Sequence, residues 1–336
     1  MEYLIRLVQV HESFRKAEIL ALAVLADIKV EIIEYYEYVC LSTSKFPSRF
    51  KYPDGNCEEQ SPFCLIRLQD EDAARALIRR SILSQNIYEL WGSATTYDGL
   101  HARVRNSTLS KRTEYSTCSF RFDIDTYQGK RSPTEQRRLI ETFDYLDFNG
   151  LIKMQGPEQR YCIFEDYGFR APTPRRVHLG RWIAGSDRDA MNTYSLKTRK
   201  YISTTSMDAE LSLVTANLTL AAPGKVFYDP FVGTGSFPIA CAHTGAMVLG
   251  SDIDSRSVRG TKGRNIVSNF EQYGLTARFL DNFIADLTNT PLRGSRLFDG
   301  IVCDPPYGVR EGLKVLGSRD GKAKDILILD GKATHL

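Results

Sequence analysis

The amino-acid sequence predicts an α+β region followed by an α/β domain with a parallel sheet, and three observations carry this. Residues 1–100 order their hydrophobic patterns as β-α-β-β-α-β, the ferredoxin-like arrangement. From residue 205 onward, long helical patterns alternate with short apolar strands. In that second half, glycines or acids stand directly after successive strands, where open α/β sheets bind their ligands.

Residues 3–10 alternate apolar and polar like a strand, and residues 14–26 have helical spacing behind Ser13 as an N-cap. Residues 29–38, rich in Val, Ile and Tyr, and the apolar run 63–68 supply two more strands. Residues 70–83 form an amphipathic helix, and 87–97 are extended. Between the middle strands, residues 47–61 carry the turn signal Pro53-Asp54-Gly55-Asn56. A second unit spans residues 101–168, with a strand over 115–127, a helix over 133–146 entered through Ser132-Pro133, and short extended stretches at 151–153 and 161–164. Residues 169–204, which include Pro172-Thr173-Pro174, read as a basic linker, and residues 205–336 as the α/β domain. Its first helix, 207–220, begins on the capping-box pattern Thr205-Ser206-Met207-Asp208 and lines up Leu211, Val214 and Leu218 on one face.

Hydrophobic residues make up 42% of the 336 and charged residues 25%, close to globular averages, so disordered, collagenous and low-complexity classes are excluded. The longest near-continuous apolar run, residues 19–26, falls far short of the roughly 18 residues of a membrane span. The N-terminus lacks the pattern of a secretory signal, so a cytoplasmic location without membrane attachment is expected. The seven cysteines (Cys40, Cys57, Cys64, Cys118, Cys162, Cys241, Cys303) are scattered and without zinc-finger spacing, which favours reduced thiols and no metal site. Net charge is +3, from 44 Lys and Arg against 41 Asp and Glu, but residues 170–200 alone hold eight Lys or Arg and two Asp. The positive charge is therefore concentrated in one stretch, and the rest of the chain is slightly acidic.

Residues 225–228 form a short strand, and Asp229-Pro230-Phe231-Val232-Gly233-Thr234-Gly235 is the turn into the next helix. Glycines at such a turn let backbone N–H groups approach a ligand, although a plain strand-to-helix turn accounts for this fragment as well. The fuller G-x-G-x-x-G fingerprint and the Lys-Ser/Thr ending of a phosphate loop are both missing, which argues against NAD and ATP. The next strand, 246–250, ends in Ser251-Asp252-Ile253-Asp254; Asp252 is placed to accept ribose hydroxyls, while Asp254 suits the N-cap of a helix over 255–270. A third strand, 277–280, ends in Asp281-Asn282, and a fourth, 298–303, runs into Asp304-Pro305-Pro306-Tyr307-Gly308. The prolines fix the backbone and leave carbonyls without competing N–H groups, while Asp304 supplies acceptors and Tyr307 a flat stacking surface. That combination suits an exocyclic amine, whose lone pair is otherwise delocalised into its ring. Holding its two hydrogens on the Asp304 carboxylate and the Pro305 carbonyl favours a pyramidal nitrogen aimed at a methyl donor.

D-P-F-V-G-T-G, S-D-I-D and D-P-P-Y-G in this order resemble the class I S-adenosyl-L-methionine-dependent amino-methyltransferases, of which residues 205–336 would be the Rossmann-like domain. By that resemblance Asp229, Pro230, Phe231, Gly233 and Gly235 would hold the methionine part of the cofactor, Asp252 its ribose and Asp281 its adenine amine. Asp304, Pro305, Pro306 and Tyr307 would form the catalytic pocket. Upstream, residues 194–202 (Y-S-L-K-T-R-K-Y-I) and 204–211 (T-T-S-M-D-A-E-L) are similar to the segment before the cofactor loop in the family of eukaryotic tRNA (guanine-10-N2) methyltransferase catalytic subunits. Residues 119–127 (S-F-R-F-D-I-D-T-Y), with Glu135-Gln136-Arg137, resemble that family's THUMP RNA-binding domain. The resemblance implies methyl transfer to the 2-amino group of a guanosine in tRNA, with a small zinc-binding activator subunit as partner.

The residues themselves also point to RNA. Residues 101–112 hold Arg103, Arg105, Lys111 and Arg112 and no acid, and Arg175, Arg176, Lys197 and Arg199 stand near Trp182 and Tyr194. Phosphate contacts and stacking suit these stretches, with a solvated linker as the alternative for either one. Tyr307 would stack an extruded guanine. Few residues follow Gly308, where a seven-stranded methyltransferase sheet needs three more strands, so a C-terminally truncated domain with an unpaired fourth strand is expected. Two other functions stay open: a different base amino-methyltransferase, acting on ribosomal RNA guanine N2 or DNA adenine N6, and a non-catalytic tRNA-binding protein. Asp304 in place of Asn, together with the THUMP-like region, favours tRNA, and no DNA partner is expected.

Overall fold

The computed structural model describes residues 1–35, 61–168, 170–294, 296–306, 313–315 and 327–329. They fall into two units, Met1–Asp187 and Arg188–Leu336. The 53–56 turn signal, Cys40, Cys57 and Tyr307 lie outside the described residues.

In the first unit, β1 (Glu2–Leu7), α1 (Arg15–Leu25), β2 (Glu31–Glu34), β3 (Phe63–Arg67), α2 (Glu71–Ile78) and β4 (Ser84–Ala94) follow the expected β-α-β-β-α-β order. Their strands lie antiparallel as β2-β3-β1-β4, the ferredoxin-like arrangement. Alternation places Tyr3, Ile5 and Leu7 of β1 against Ile19 and Leu22 of α1 and Leu77 of α2, while Leu4 turns to the opposite face with Phe63 and Tyr88. The α2 N-terminus is capped by Asp70, whose carboxylate accepts the Ala73 N–H at 2.8 Å.

The chain continues through α3 (Tyr97–Ser107), α4 (Leu109–Tyr115), β5 (Phe120–Tyr127), α5 (Pro133–Glu141), β6 (Gln159–Tyr167) and β7 (Pro174–Gly185). A full capping box starts α5: the Ser132 hydroxyl accepts the Glu135 N–H, and the Glu135 carboxylate accepts the Ser132 N–H at 2.7 Å. Strands β5 and β6 are parallel, as their crossover through α5 requires. Strand β7 returns antiparallel to β6 and pairs on its other side with β4, giving one sheet in the order β2-β3-β1-β4-β7-β6-β5.

That topology corrects two expected boundaries. Residues 169–204 are not a linker, because 174–185 form a strand inside the sheet, and the break expected at residue 100 is bridged by the β4–β7 pairing. Alternate residues Val177, Leu179 and Ile183 of β7 are fully buried, and its cations are neutralised by acids from elsewhere in the unit. Arg175 pairs with Asp166 at 3.2 Å, Arg176 with Glu34 at 2.8 Å, and Arg181 with Glu89 at 2.9 Å and Glu71 at 2.5 Å.

The second unit contains α6 (Ala190–Thr193), α7 (Ala209–Leu218), β8 (Val226–Asp229), α8 (Ser236–His243), β9 (Met247–Asp252), α9 (Ser255–Arg259), α10 (Ile266–Gln272), β10 (Phe279–Ile284) and β11 (Gly300–Ile301). All four strands are parallel, in the order β10-β9-β8-β11. The order reverses between β8 and β11, so the loops at their carboxyl ends diverge and leave a crevice. Among the described residues β11 pairs with β8 alone, and β12 (Leu313–Val315) pairs antiparallel with β13 (Leu327–Leu329). The single helix expected over 255–270 is two, because Gly260, Lys262 and Gly263 adopt positive φ and break the repeat.

The β4–β7 seam holds a buried ionic cluster that tests this architecture. Glu89, 2% exposed, accepts from the Trp91 indole at 3.0 Å, from Arg181 and from Lys111. Burial alone raises its carboxyl, but the hydrogen bonds from Lys111, Trp91 and Arg181 bring it below its ordinary value. Glu89→Ala leaves Arg181 buried with one partner fewer and lowers the unfolding free energy by about 3 to 5 kcal/mol in urea titrations. Arg137→Ala, which breaks the exposed pair with Glu141, changes it by less than about 0.5 kcal/mol.

Candidate active site

The loops after β8, β9, β10 and β11 surround a cavity of about 650 Å³, within the range of small-molecule sites. Asp229 ends β8 and accepts the Phe231 N–H on Oδ1 at 2.9 Å. Gly233 (φ 48°) and Gly235 (φ 85°) take left-handed conformations that carry the turn into α8. The Val232 N–H donates to the Ser251 carbonyl at 2.9 Å, Gly233 to the Asp252 carboxylate at 3.0 Å, and Gly235 to the Val232 carbonyl at 2.8 Å. These N–H groups are therefore spent on the protein rather than turned to a ligand, and the glycines serve the conformation of the loop.

Gly250 of β9 lets this loop close down, since a Cβ there would come within 2.5 Å of the Val232 side chain. The second Asp252 oxygen accepts the Asp254 N–H at 2.9 Å, and Asp254 in turn caps α9 through the Arg256 N–H at 2.9 Å. The Ala285 N–H donates to the Asp252 carbonyl at 3.1 Å, which draws the end of β10 and Asp286 to the cavity. On the β11 side, the Val302 N–H donates to the Tyr228 carbonyl at 3.0 Å, and Asp304, Pro305 and Pro306 follow at the rim. The segment ahead of α7 supplies the last wall. There the Ser206 and Thr234 hydroxyls are 2.7 Å apart, and the Asn269 amide donates to the carbonyls of Tyr201 and Thr234 at 2.8 and 3.1 Å.

Charge distinguishes this cavity. Its described lining holds five carboxylates, those of Asp229, Asp252, Asp254, Asp286 and Asp304, and no Lys, Arg or His. Burial pushes the Asp229 carboxyl from 3.8 up to about 8; the Asp252 and Asp304 charges add to that, against the Phe231 N–H that pulls it down. A ligand that brings its own positive charge relieves this arrangement, whereas a phosphate ligand adds to its negative charge. S-adenosyl-L-methionine, with a sulfonium and an ammonium beside a nucleoside, fits these residues. Asp229 would face its charged methionine end and Asp252, at the end of β9, its ribose.

Most of the residues singled out in the sequence converge here. Asp229, Pro230, Phe231, Gly233, Asp252, Asp304, Pro305 and Pro306 line the cavity, and Gly235 starts α8 beside it. Asp281 does not belong to it. Strand β10 runs to Ile284, so Asp281 sits within the strand, exposed, and the acid beyond the strand end is Asp286, 7% exposed with Oδ1 accepting the Thr288 N–H at 2.9 Å. Strand length was the missing signal. Thr205 to Met207 were legible as a helix start but not as a cavity wall.

The cations expected to meet RNA are mostly engaged within their own unit. Arg103 and Lys197 are exposed, and Arg105 lies with its guanidinium 4.3 Å from the Tyr145 ring centre. Arg112 donates to the Arg105 carbonyl at 2.7 Å and the Tyr145 carbonyl at 3.2 Å, while Lys111, Arg175 and Arg176 hold the ion pairs described above. Arg199 is a correction: it is 6% exposed and donates to the Ser236 hydroxyl at 2.7 Å and the Tyr194 carbonyl at 3.0 Å, out of reach of a phosphate. A second hollow of about 770 Å³, in the first unit, contains Lys130, Arg131 and Arg170, but its Arg131 is clamped on buried Glu165 at 2.6 and 2.7 Å.

Comparison with known proteins covers both units. The family described as Tmrp11 THUMP N-terminal domain matches residues 1–51 and 55–188, and the RMKL-like methyltransferase domain matches residues 197–316. The tRNA (guanine(10)-N(2))-methyltransferase of Saccharomyces cerevisiae is 39% identical over all of this chain and 75% of its own length. That of Schizosaccharomyces pombe is 39% identical over 93% of this chain and 69% of its own, and the Homo sapiens protein 34% over 80% and 62%. Among solved structures, TrmN from Thermus thermophilus covers 92% of this chain and 80% of its own at a TM-score of 0.44 and 16% identity. A putative methyltransferase complexed with SAH covers 92% and 81% at a TM-score of 0.45 and 15% identity.

The raised Asp229 carboxyl makes cofactor binding pH-dependent. The empty folded state holds this proton more tightly than the unfolded chain, so the contribution of Asp229 to stability falls as pH rises from 3.8 to about 8. A cationic ligand favours the ionised form and releases the proton. The dissociation constant for S-adenosyl-L-methionine should therefore drop between about pH 6 and 8, by up to about tenfold per unit, and Asp229→Asn should flatten that slope in calorimetric titrations.

Proposed function

The chain belongs to the family of tRNA (guanine(10)-N(2))-methyltransferases, and on that premise we propose that it transfers a methyl group from S-adenosyl-L-methionine to the exocyclic N2 of guanosine 10 in tRNA. The observation that carries this reading is the position of Asp304-Pro305-Pro306, at the switch between β8 and β11, on the rim of a cavity lined by carboxylates and no cation among the described residues. When bound, S-adenosyl-L-methionine supplies an electrophilic methyl group on a sulfonium centre. The protein then has to present an amine lone pair and exclude water. Asp304 and the Pro305 carbonyl would accept hydrogen bonds from the two amine hydrogens and so draw the lone pair out of the ring, one proton leaving toward the Asp304 carboxylate or solvent once the methyl is bound, and Pro306 fixes the loop so that both acceptors are set before the base arrives. Tyr307, next in the chain, supplies the stacking surface in this reading.

We include two further parts in the proposal: a small zinc-binding activator subunit as partner, and a cytoplasmic location. The first is supported by the sequence resemblance. No helix among the described residues is long and apolar enough to cross a membrane.

The test is methyl transfer from labelled cofactor to unmodified tRNA by the full chain co-expressed with the activator, with the product mapped by mass spectrometry. Monomethylguanosine at position 10 is the expected product; a methylated adenine, or no transfer with cofactor bound, rules the proposal out. Asp304→Ala should lower the transfer rate by about 10²-fold or more while the cofactor dissociation constant moves less than about threefold, because a preorganised acceptor acts on the reacting amine and not on the cofactor.

A further inference from the structure

Between Asp254 and Glu271 the chain carries Arg256, Arg259, Lys262 and Arg264 and no acid. Arg256 is paired with Asp254 at 2.7 Å. Arg259, Lys262 and Arg264 are exposed, and their side chains make no hydrogen bond or ion pair among the described residues. In this they differ from Lys111, Arg112, Arg175, Arg176 and Arg199, whose charges are taken up inside the fold.

The turn that presents them is tight. The Thr261 N–H donates to the Arg264 carbonyl at 2.9 Å and the Arg264 N–H to the Thr261 carbonyl at 3.0 Å. Gly260 (φ 67°), Lys262 (φ 52°) and Gly263 (φ 75°) all have positive φ, and a Cβ on Gly260 would lie 2.0 Å from the Arg264 carbonyl oxygen. A lysine held in the left-handed region, between two unpaired arginines, is poor for stability, since like charges repel and L side chains rarely adopt that backbone. The turn extends directly from α9, whose Ser257 lines the cavity together with Asp254.

The cavity itself would repel the nucleic-acid backbone. Its described lining holds five acids and no cation, so even with Asp229 pushed up to about 8 and Asp254 paired with Arg256, a polynucleotide that inserts one base there brings its flanking phosphates toward an excess of carboxylates. Three unpaired cations, on the turn that begins two residues after Ser257 of the lining, supply the compensating field. We propose that the 259–264 turn is the phosphate-contact surface for the RNA strand whose base enters the cavity. The proposal rests on the tRNA methyltransferase reading and adds the place where the second unit grips its substrate.

The test uses the full chain with its activator and unmodified tRNA. The triple variant Arg259→Gln, Lys262→Gln, Arg264→Gln should weaken tRNA binding by at least about tenfold near 0.1 M salt and make the slope of log affinity against log salt shallower by about 2 to 3, with cofactor affinity unchanged. Lys262→Gly separates charge from backbone strain: it removes one cation while easing the turn, so tRNA affinity should fall although thermal stability holds or rises. Wild-type affinity and salt slope in the triple variant, while the parent still methylates tRNA, overturn the proposal and leave the enzymatic reading intact. A parent that neither binds nor methylates tRNA overturns that reading and the proposal with it.

Discussion

The Asp252 carboxylate joins the loops of the cavity, accepting the Gly233 N–H at 3.0 Å on one oxygen and the Asp254 N–H at 2.9 Å on the other. Its backbone carbonyl takes the Ala285 N–H, so a single residue at the end of β9 fixes the turns after β8, β9 and β10. The arrangement works because β9 lies between β8 and β10 in the sheet. Gly250 then allows the β8 turn to pack on β9 without a side chain in the way. Substituting the Asp252 side chain therefore reaches further than one ligand contact, since it frees the turns after β8 and β9 together, while the Ala285 bond to the backbone carbonyl stays.

The same geometry concentrates negative charge. Parallel strands bring their carboxyl ends to one edge, and here four successive strand ends deliver acids to it. Asp229 bears the cost, with burial and its neighbours holding its carboxyl at about 8. A cation that arrives at such an edge favours the ionised carboxyl, which links binding to proton release. A phosphate-binding variant of the same fold would have to replace these carboxylates with N–H groups, and the loop N–H groups of Phe231, Val232, Gly233 and Gly235 are already committed.

How much of this was legible varied with how local the signal is. The ferredoxin-like order could be read because each element carries its own period, and the α5 capping box at Ser132 and Glu135 is a contact within four residues. Strand β7 could not. Its Arg175, Arg176 and Arg181 read as part of a basic linker suited to RNA phosphates, and the acids that neutralise them, Asp166, Glu34, Glu89 and Glu71, come from other elements of the unit. The alternation of Val177, Leu179 and Ile183 was there beneath the charges. At the candidate site the motif after each strand was legible wherever the strand end was marked by Gly or Pro. Asp281 reads as the acid at the strand end when the strand is placed at 277–280, whereas it continues through Phe283 and Ile284 toward Asp286.

Charge counted along a sequence and charge available to a partner are therefore different quantities. Residues 170–200 carry the largest local excess, yet Arg175, Arg176, Arg181 and Arg188 are spent in ion pairs within the fold, and what is spent there contributes little to a field outside it. Residues 256–264 carry a smaller excess, and all of it except Arg256 faces solvent unpaired. An ion pair within a fold cancels at distances beyond a few ångströms, whereas an unpaired cation acts out to a screening length of about 8 Å at physiological salt. For a nucleic acid approaching the second unit, the short glycine-bounded turn that follows Ser257 of the cavity lining accordingly outweighs, in this proposal, residues that the sequence alone ranks above it.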